Sequence, residues 1–328
     1  MDQSHSDIAI IGAGMAGLAC AIRLTSAGRD VRVFDKGRGP GGRMAARRAQ
    51  VAGETVGFDH GAQYFTARDA GFRAAVERWV GAGAVARWAA AEKSQEDAAW
   101  VGVPGMNGPI REMAKTMREA GREVAWGTCI DTIAREDNGW RLQAGDLTHF
   151  AKTVLVAVPA EQARDLLKEP AHGFAEIAGS VVSEPCWAVM AAFEAQLPLE
   201  ADTLRDPDAR VSWAARNSAK PQRTGAEDWV LHASPGRSRE VLYMPKEDVA
   251  EMLLADFFAQ AGLEPVQPVH LAAHRWLYAQ PESLKGEPAR YDATAQIGIA
   301  GDYLHSPRVE GAWLSGTALA GAVLQLEP

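Results

Sequence analysis

Ile8-Ala9-Ile10-Ile11-Gly12-Ala13-Gly14-Met15-Ala16-Gly17 opens the chain with an apolar run that breaks into three closely spaced glycines. A second apolar run, Val31-Arg32-Val33-Phe34, ends in Asp35. GxGxxG alone is weak evidence. Within a strand–turn–helix–strand unit of about 30 residues, with an acid about 20 residues on, it predicts a dinucleotide site. Each glycine has its own reason. Gly12 permits the tight turn, Gly14 lets a pyrophosphate approach the backbone, and Gly17 lets helix and strand pack closely. The helix beginning at Met15 and Ala16 offers free N–H groups and a partial positive charge to phosphates. Asp35 can accept hydrogen bonds from both hydroxyls of an adenosine ribose, with Lys36 beside it. The fold class that follows is α/β, a Rossmann-like parallel sheet with helices.

A second glycine word, Gly39-Pro40-Gly41-Gly42-Arg43-Met44, comes shortly after the acid, and Asp59-His60-Gly61-Ala62-Gln63-Tyr64-Phe65 follows. A third lies near the C-terminus. Ile297-Gly298-Ile299-Ala300 reads as a strand ending in Gly301-Asp302, and Val309-Glu310-Gly311-Ala312-Trp313-Leu314-Ser315-Gly316 opens a helix. These words, in this order, resemble the FAD-dependent amine oxidase superfamily. The resemblance implies that Arg43 lies near the FAD pyrophosphate and that the turn Gly61, Ala62, Gln63, Tyr64 runs beside the isoalloxazine. It also implies that Asp302 lies by the ribityl chain and pyrophosphate. The helix begun by Val309, Gly311 and Ala312 would point its N-terminus at flavin N1 and O2, where negative charge gathers on reduction.

Within that superfamily the chain is most similar to the renalase family, bacterial members above all. The carrying words are Phe34-Asp35-Lys36, Gly41-Gly42-Arg43-Met44, Gly61-Ala62-Gln63-Tyr64-Phe65-Thr66-Ala67-Arg68-Asp69, Ala215-Arg216-Asn217, Ala273-His274-Arg275-Trp276-Leu277-Tyr278-Ala279, and the segment from Arg308 to Gly316. They extend over nearly the whole chain. The flavin words are shared widely; the words around Gln63 and His274 are the specific ones.

Composition limits the partners. The chain has 328 residues, 47% hydrophobic and 23% charged, with a formal net charge of −8. That disfavours nucleic acid or an anionic membrane as main partner. Lys36, Arg38, Arg43, Arg47 and Arg48 do cluster, but where a pyrophosphate is expected; Arg43 reads as functional and most of the others as solvated. Cys20, Cys129 and Cys186 are widely separated, which gives no disulfide framework. No cysteine lies near the C-terminal flavin word, so FAD is expected to be non-covalent. The N-terminus shows no basic leader, and the apolar stretches are too short to span a bilayer. A cytoplasmic, reduced protein is expected.

Flavin words in three separated blocks predict interleaved domains. Residues 1–66, 111–165 and 286–328 would form the FAD-binding domain, and 67–110 and 166–285 the substrate domain. The first contains a helical stretch over 111–120, short strands over 123–126 and 140–143, and a buried-type strand at 153–158. Ile130, in the linker after Trp126, falls where related flavoproteins place an apolar residue with backbone contacts to adenine. The second contains a helix over 70–80 with Phe72, Val76 and Val80 on one face. It also contains strands over 186–193, 211–217, 229–233 and 269–278. Alternation puts Trp187, Val189, Ala191 and Phe193 on one face, and Trp213, Ala215 and Asn217 on one face. His274, Trp276 and Tyr278 share a face, opposite Arg275 and Leu277. An antiparallel sheet results, one side over the flavin and the other covered by helices such as 249–261.

Trp187, Trp213, Trp229 and Trp276 suit sheet packing, and equally a flat wall for a heterocyclic substrate. Trp276 and Tyr278 are the strongest candidates for the wall, and His274 for a substrate hydrogen bond. His270 and His274 on a strand, with no third ligand, do not make a metal site. Asn217 and Lys220 could donate to a carboxamide or activate oxygen, although Lys220 also fits an ordinary surface lysine. His60 is expected to contribute its backbone more than its ring. Catalytic candidates are therefore His274, Trp276, Tyr278 and Asn217. The resemblance implies oxidation of 2- or 6-dihydro isomers of NAD(P), with O2 as acceptor and H2O2 as product. Alternatives are an amine oxidase or desaturase of the same superfamily, and a non-catalytic protein that keeps the FAD fold.

Overall fold

The computed structural model describes residues 3–92, 98–225 and 227–325. The outermost positions of blocks 1–66 and 286–328 lie outside the described residues. The chain begins with β1 (Gln3–Ile11), α1 (Met15–Ser26) and β2 (Val31–Asp35), the expected strand–helix–strand unit. A hairpin of β3 (Arg47–Val51) and β4 (Glu54–Phe58) follows, then α2 (Ala70–Gly81), β5 (Val85–Arg87) and β6 (Trp100–Gly102). Helix α3 (Gly108–Glu119) leads to β7 (Val124–Trp126), β8 (Thr132–Glu136), β9 (Gly139–Ala144) and β10 (Leu147–Val156). Helices α4 (Ala160–Leu167) and α5 (His172–Gly179) precede β11 (Ser183–Phe193), β12 (Thr203–Arg205), β13 (Val211–Arg216) and β14 (Glu227–Ala233). Helices α6 (Pro235–Glu240) and α7 (Lys246–Ala261) come before β15 (His270–Pro281), and β16 (Ala289–Asp292), β17 (Ile297–Ala300) and α8 (Val309–Gln325) close the chain.

Strands β17, β10, β1, β2 and β7 lie side by side and parallel, with β16 antiparallel on one edge. This sheet draws on three separated stretches of sequence, so the chain leaves it and returns twice. In β10 the residues Val154, Leu155 and Val156 are fully buried between β1 and β17. Burial on both faces is why that segment is continuously apolar. The earlier half of β10 stays paired with β1 and has β9 in place of β17 on its other edge, an extension that the sequence pattern did not reveal.

The second sheet is antiparallel, in the order β12-β13-β14-β11-β15. Trp187, Val189, Ala191 and Phe193 share a face of β11, as alternation requires, and α7 closes over them with Val249, Leu253 and Phe257. Trp229 also faces this helix layer, against Phe257 at 5.3 Å between ring centres. Trp187 and Trp229 are therefore core residues and not substrate wall. The opposite face carries Met190, Ala192 and Val230 against Val51, Val56 and Phe58 of the β3–β4 hairpin.

The apolar stripe on α2 requires one correction. Phe72 and Val76 are buried, but Val80 is 41% exposed while Trp79 is 7% exposed. At about 3.6 residues per turn, a step of seven returns closer to the starting face than a step of eight. No helix of the described residues is long and apolar enough to cross a membrane.

Candidate active site

The first two glycine words meet. Gly12 has φ +104°, and a Cβ there would lie 2.4 Å from Ala157 O. A Cβ on Gly17 would come 1.8 Å from Gly12 O, so Gly17 is demanded chiefly by the turn's own carbonyl. Gly14 differs: a Cβ there would meet nothing within 4 Å. Its open side is faced by Gly42, at φ +54°, whose Cβ would stand 3.7 Å from Gly14 Cα. The protein's own packing thus needs Gly12 and Gly17, while Gly14 and Gly42 border space that a pyrophosphate fits.

Two helix N-termini offer free backbone donors, and that of α1 adjoins this space. The first intrahelical bond of α1 runs from Leu18 N–H to Gly14 C=O, leaving Met15, Ala16 and Gly17 N–H without an intrahelical acceptor. In α8 it runs from Ala312 N–H to Arg308 C=O, and the same holds for Val309, Glu310 and Gly311. The two helices lie in contact, since a Cβ on Gly316 would come 2.0 Å from Ala16 O. Arg43 Nη1 and Nη2 donate to the two oxygens of Asp302 at 2.9 and 2.6 Å. Arg43 C=O accepts from Ala62 N–H at 2.9 Å, which fixes the next turn to the same point. Met44 is buried beneath.

Asp35 ends β2 against the fingerprint. Its oxygens accept from Ala13 N–H at 2.6 Å and Gly37 N–H at 2.7 Å. Each carboxylate oxygen retains a further lone pair for a ribose hydroxyl. Ile130 is buried in the connection from β7 to β8. Lys36 donates to Gln162 of α4 at 3.1 Å in an exposed position.

The turn of residues 60–64 lies along one row of the antiparallel sheet. His274 of β15, Ala188 of β11, His232 of β14 and Trp213 of β13 are successive cross-strand partners. Above this row, the His60 ring stands 4.8 Å from that of His274, Gln63 Nε2 lies 3.3 Å from His232 Nε2, and Tyr64 stands 5.4 Å from Trp213. Trp276, on the same face as His274, donates from Nε1 to His60 C=O at 2.8 Å. His60 therefore contributes its backbone as expected. Its ring also packs between His274 and Trp276, with Nδ1 buried and without a protein partner. Tyr278 continues this face, half-buried.

Asn217 is buried and committed: Oδ1 accepts from Asp59 N–H at 3.2 Å and Nδ2 donates to Gly57 C=O at 2.7 Å. It clips the end of β4 to the substrate sheet, and its amide is not free for a carboxamide. Gln63 is also enclosed, donating from Nε2 to Asp59 C=O and to Gly61 C=O.

Lys220 departs most from the surface reading. It is wholly buried, 3.2 Å from Asp59 Oδ2 and 3.1 Å from Gln63 Oε1, with the ring of Trp88 5.2 Å from its ammonium. Burial, opposed by Asp59, draws it down to about 8. Burial raises the Asp59 carboxyl, but Lys220 and Arg223 outweigh this and hold it below the ordinary carboxylate range. Sequence reasoning missed Asp59 and Arg223 as partners. Burial, reinforced by neighbouring His274 and Arg47, pulls His60 down to about 3, and burial with Lys220 brings His232 to about 4. His270 and His274 are lowered by burial and Arg47.

Residues 10–78 match the family described as NAD(P)-binding Rossmann-like domain, and residues 81–324 match flavin containing amine oxidoreductase. A zeta-carotene-forming phytoene desaturase of Myxococcus xanthus is 54% identical over 48 residues, 15% of this chain and 9% of that protein. The matched segment is thus under a tenth of that curated relative. The fold is similar to that of a protein from Exiguobacterium assigned as a protoporphyrinogen oxidase (TM-score 0.75, 13% identity, 100% of each chain). It is similar to an engineered putrescine oxidase (TM-score 0.71, 14% identity, 99% of this chain and 100% of that one). It is also similar to cyclohexylamine oxidase from Brevibacterium oxydans (TM-score 0.62, 14% identity, 98% and 99%). With an open glycine cradle at the N-terminus of α1 and the Arg43–Asp302 pair next to Gly42, the chain belongs to the flavin-containing amine oxidoreductase family and takes FAD as its cofactor.

Proposed function

We propose that the chain is an FAD-dependent oxidase of the renalase type. It oxidises dihydro isomers of NAD(P) whose extra hydrogen sits at ring carbon 2 or 6, returns NAD(P)+, and reduces O2 to H2O2. Bound non-covalently, FAD supplies the two-electron acceptor for the substrate's hydride. In this reading residues 1–66, 111–165 and 286–328 hold the cofactor, and 67–110 and 166–285 hold the substrate.

The observation that supports it best is the charge around the histidine face. The charged side chains outside the cluster that lower His60, His232, His270 and His274 are Arg47 and Lys220, both cationic at neutral pH. Neutral imidazoles among cations suit an uncharged ring with a carboxamide and a phosphate tail; they repel an alkylammonium. Trp276 gives the ring a flat wall, with Tyr278 next along it, and His274 can hydrogen-bond the carboxamide. Asn217 clips the end of β4, from which the 60–64 turn departs, to the substrate sheet. A dihydropyridine already carries its hydride, so orientation and exclusion of water suffice without a strong base. The family description favours a second reading, oxidation of an amine.

The test is anaerobic mixing of the purified protein with the 2-, 4- and 6-dihydro isomers and with putrescine, following flavin bleaching. Fast bleaching by the 2- or 6-isomer, and slow bleaching by the 4-isomer, is expected. A misplacement of about 1 Å can cost about a hundredfold. His274→Ala and Trp276→Ala should slow bleaching with FAD still bound. Fast bleaching by putrescine and none by any dihydro isomer establishes the amine reading instead.

A further inference from the structure

Lys220 is a buried cation that Asp59 does not require. Arg223 alone gives the Asp59 Oδ2 two hydrogen bonds, of 3.2 and 2.6 Å, and Met106 N–H donates to Oδ1 at 2.8 Å. That is already a neutral, well-bonded pair. Lys220 then adds a second positive charge 3.2 Å from the same oxygen. Asp59 and Gln63 face its ammonium from the 59–63 segment, Arg223 from its own loop, His232 from β14, and Trp88 from the segment after β5. The side chains of Asp59 and Lys220 are fully buried and that of Arg223 is 1% exposed. Two cations and one carboxylate leave a buried excess of positive charge. Such an excess is costly unless an anion completes it. Gln63, which Lys220 grips, belongs to the turn that the FAD reading sets beside the isoalloxazine.

We propose that Lys220 is a positioning residue that acts on the flavin electrostatically. Held to the turn through Gln63, its ammonium stabilises the negative charge that the ring acquires on taking a hydride, and so raises the ring's reduction potential. A hydride brings two electrons and one proton, so the acceptor ring gains one negative charge and the donor one positive charge. Lys220 keeps its proton throughout and transfers nothing. Burial draws the ammonium down to about 8, where it is half protonated, so the effect is largest below that pH and fades above it. The proposal rests on the FAD reading and is independent of which substrate delivers the hydride.

The experiment compares FAD-loaded wild type, Lys220→Met and Lys220→Arg by reduction potential and by sulfite titration. Sulfite adds its lone pair to the oxidised ring and leaves it with one extra negative charge, so its affinity reads the same field. Lys220→Met leaves the Asp59–Arg223 pair intact and should keep FAD. Its sulfite affinity should fall about tenfold or more near neutral pH, with a lowered potential, while Lys220→Arg stays close to wild type. The gap between wild type and Lys220→Met should narrow as the pH is raised past about 8. An FAD-loaded Lys220→Met with wild-type potential and sulfite affinity overturns the proposal. If that variant does not fold, Lys220→Gln carries the test: an FAD-loaded Lys220→Gln with wild-type potential and sulfite affinity also overturns it. A wild type that takes up no FAD fails the cofactor assignment itself, and this proposal with it.

Discussion

Arg43 and Asp302 are joined by two parallel hydrogen bonds of 2.9 and 2.6 Å, linking the second glycine word to the third. Two effects compete at Asp302. Its negative charge weakens the local attraction for a pyrophosphate, but its two oxygens aim the guanidinium. Charge-assisted bonds of this kind contribute roughly 1.5–3 kcal/mol each. Aim should outweigh charge: Asp302→Ala is expected to weaken FAD binding about tenfold or more. Titration of the apoprotein with FAD, followed by flavin fluorescence, checks it. Tighter binding in the variant would show that charge dominates.

Asp35→Ala should lower FAD affinity and also destabilise the apoprotein. The carboxylate accepts from Ala13 and Gly37 N–H before any ribose arrives. Loss of charge-assisted bonds of about 1.5–3 kcal/mol corresponds to a ten- to hundredfold weaker FAD complex. Calorimetry of apo and loaded protein separates the two effects. Acid precipitation of the loaded wild type should release intact FAD into the supernatant, as non-covalent binding requires.

Gly14→Val and Gly28→Val should fail in opposite ways. Gly14 has open space around it and an ordinary backbone, φ −77° and ψ −169°, so a folded protein without flavin is expected. Gly28, just past α1, has φ +81° and nothing within 4 Å. Valine there meets only backbone strain, of roughly 1–2 kcal/mol, and flavin should remain. Absorbance at the flavin band together with a melting curve distinguishes the two. A flavin-loaded Gly14→Val would refute the register of the fingerprint.

Stability should fall on acidification below about pH 6.5, where unfolded histidine titrates. His60 and His232 are lowered to about 3 and about 4 in the fold. Between those values and the unfolded one, the unfolded chain binds more protons, so stability rises with pH and is fully present above the window. A tenfold difference in proton affinity between folded and unfolded chain corresponds to about 1.4 kcal/mol. Melting temperatures from neutral pH down to about pH 4 should drop more steeply in wild type than in His60→Leu. Equal slopes would place the acid sensitivity elsewhere.

The cofactor side was legible because its demands are local. Gly12, Gly14 and Gly17 fall within one turn, and Asp35 closes the next strand, so short words carry the geometry. Strand alternation also placed His274 and Trp276 on one face. The loop after β13 offered no such handle. Lys220 follows a run of small polar residues that reads as surface, and its burial depends on Asp59 and Gln63, which are 161 and 157 positions away. Asn217 was recognisable as special, but only tertiary contacts show its amide occupied by Asp59 and Gly57. Trp187 and Trp229 turned to the helix layer because α7 supplies an apolar partner there.

The contact between Gly316 and Ala16 has a consequence for biosynthesis. The fingerprint leaves the ribosome long before the helix that lies against it, and no chain stopped ahead of Val309 contains both. Flavin capture is therefore expected only once α8 has been made and has docked on the fingerprint. A chain stopped before Pro307 should retain no FAD, and adding the missing helix as a separate peptide should restore some uptake.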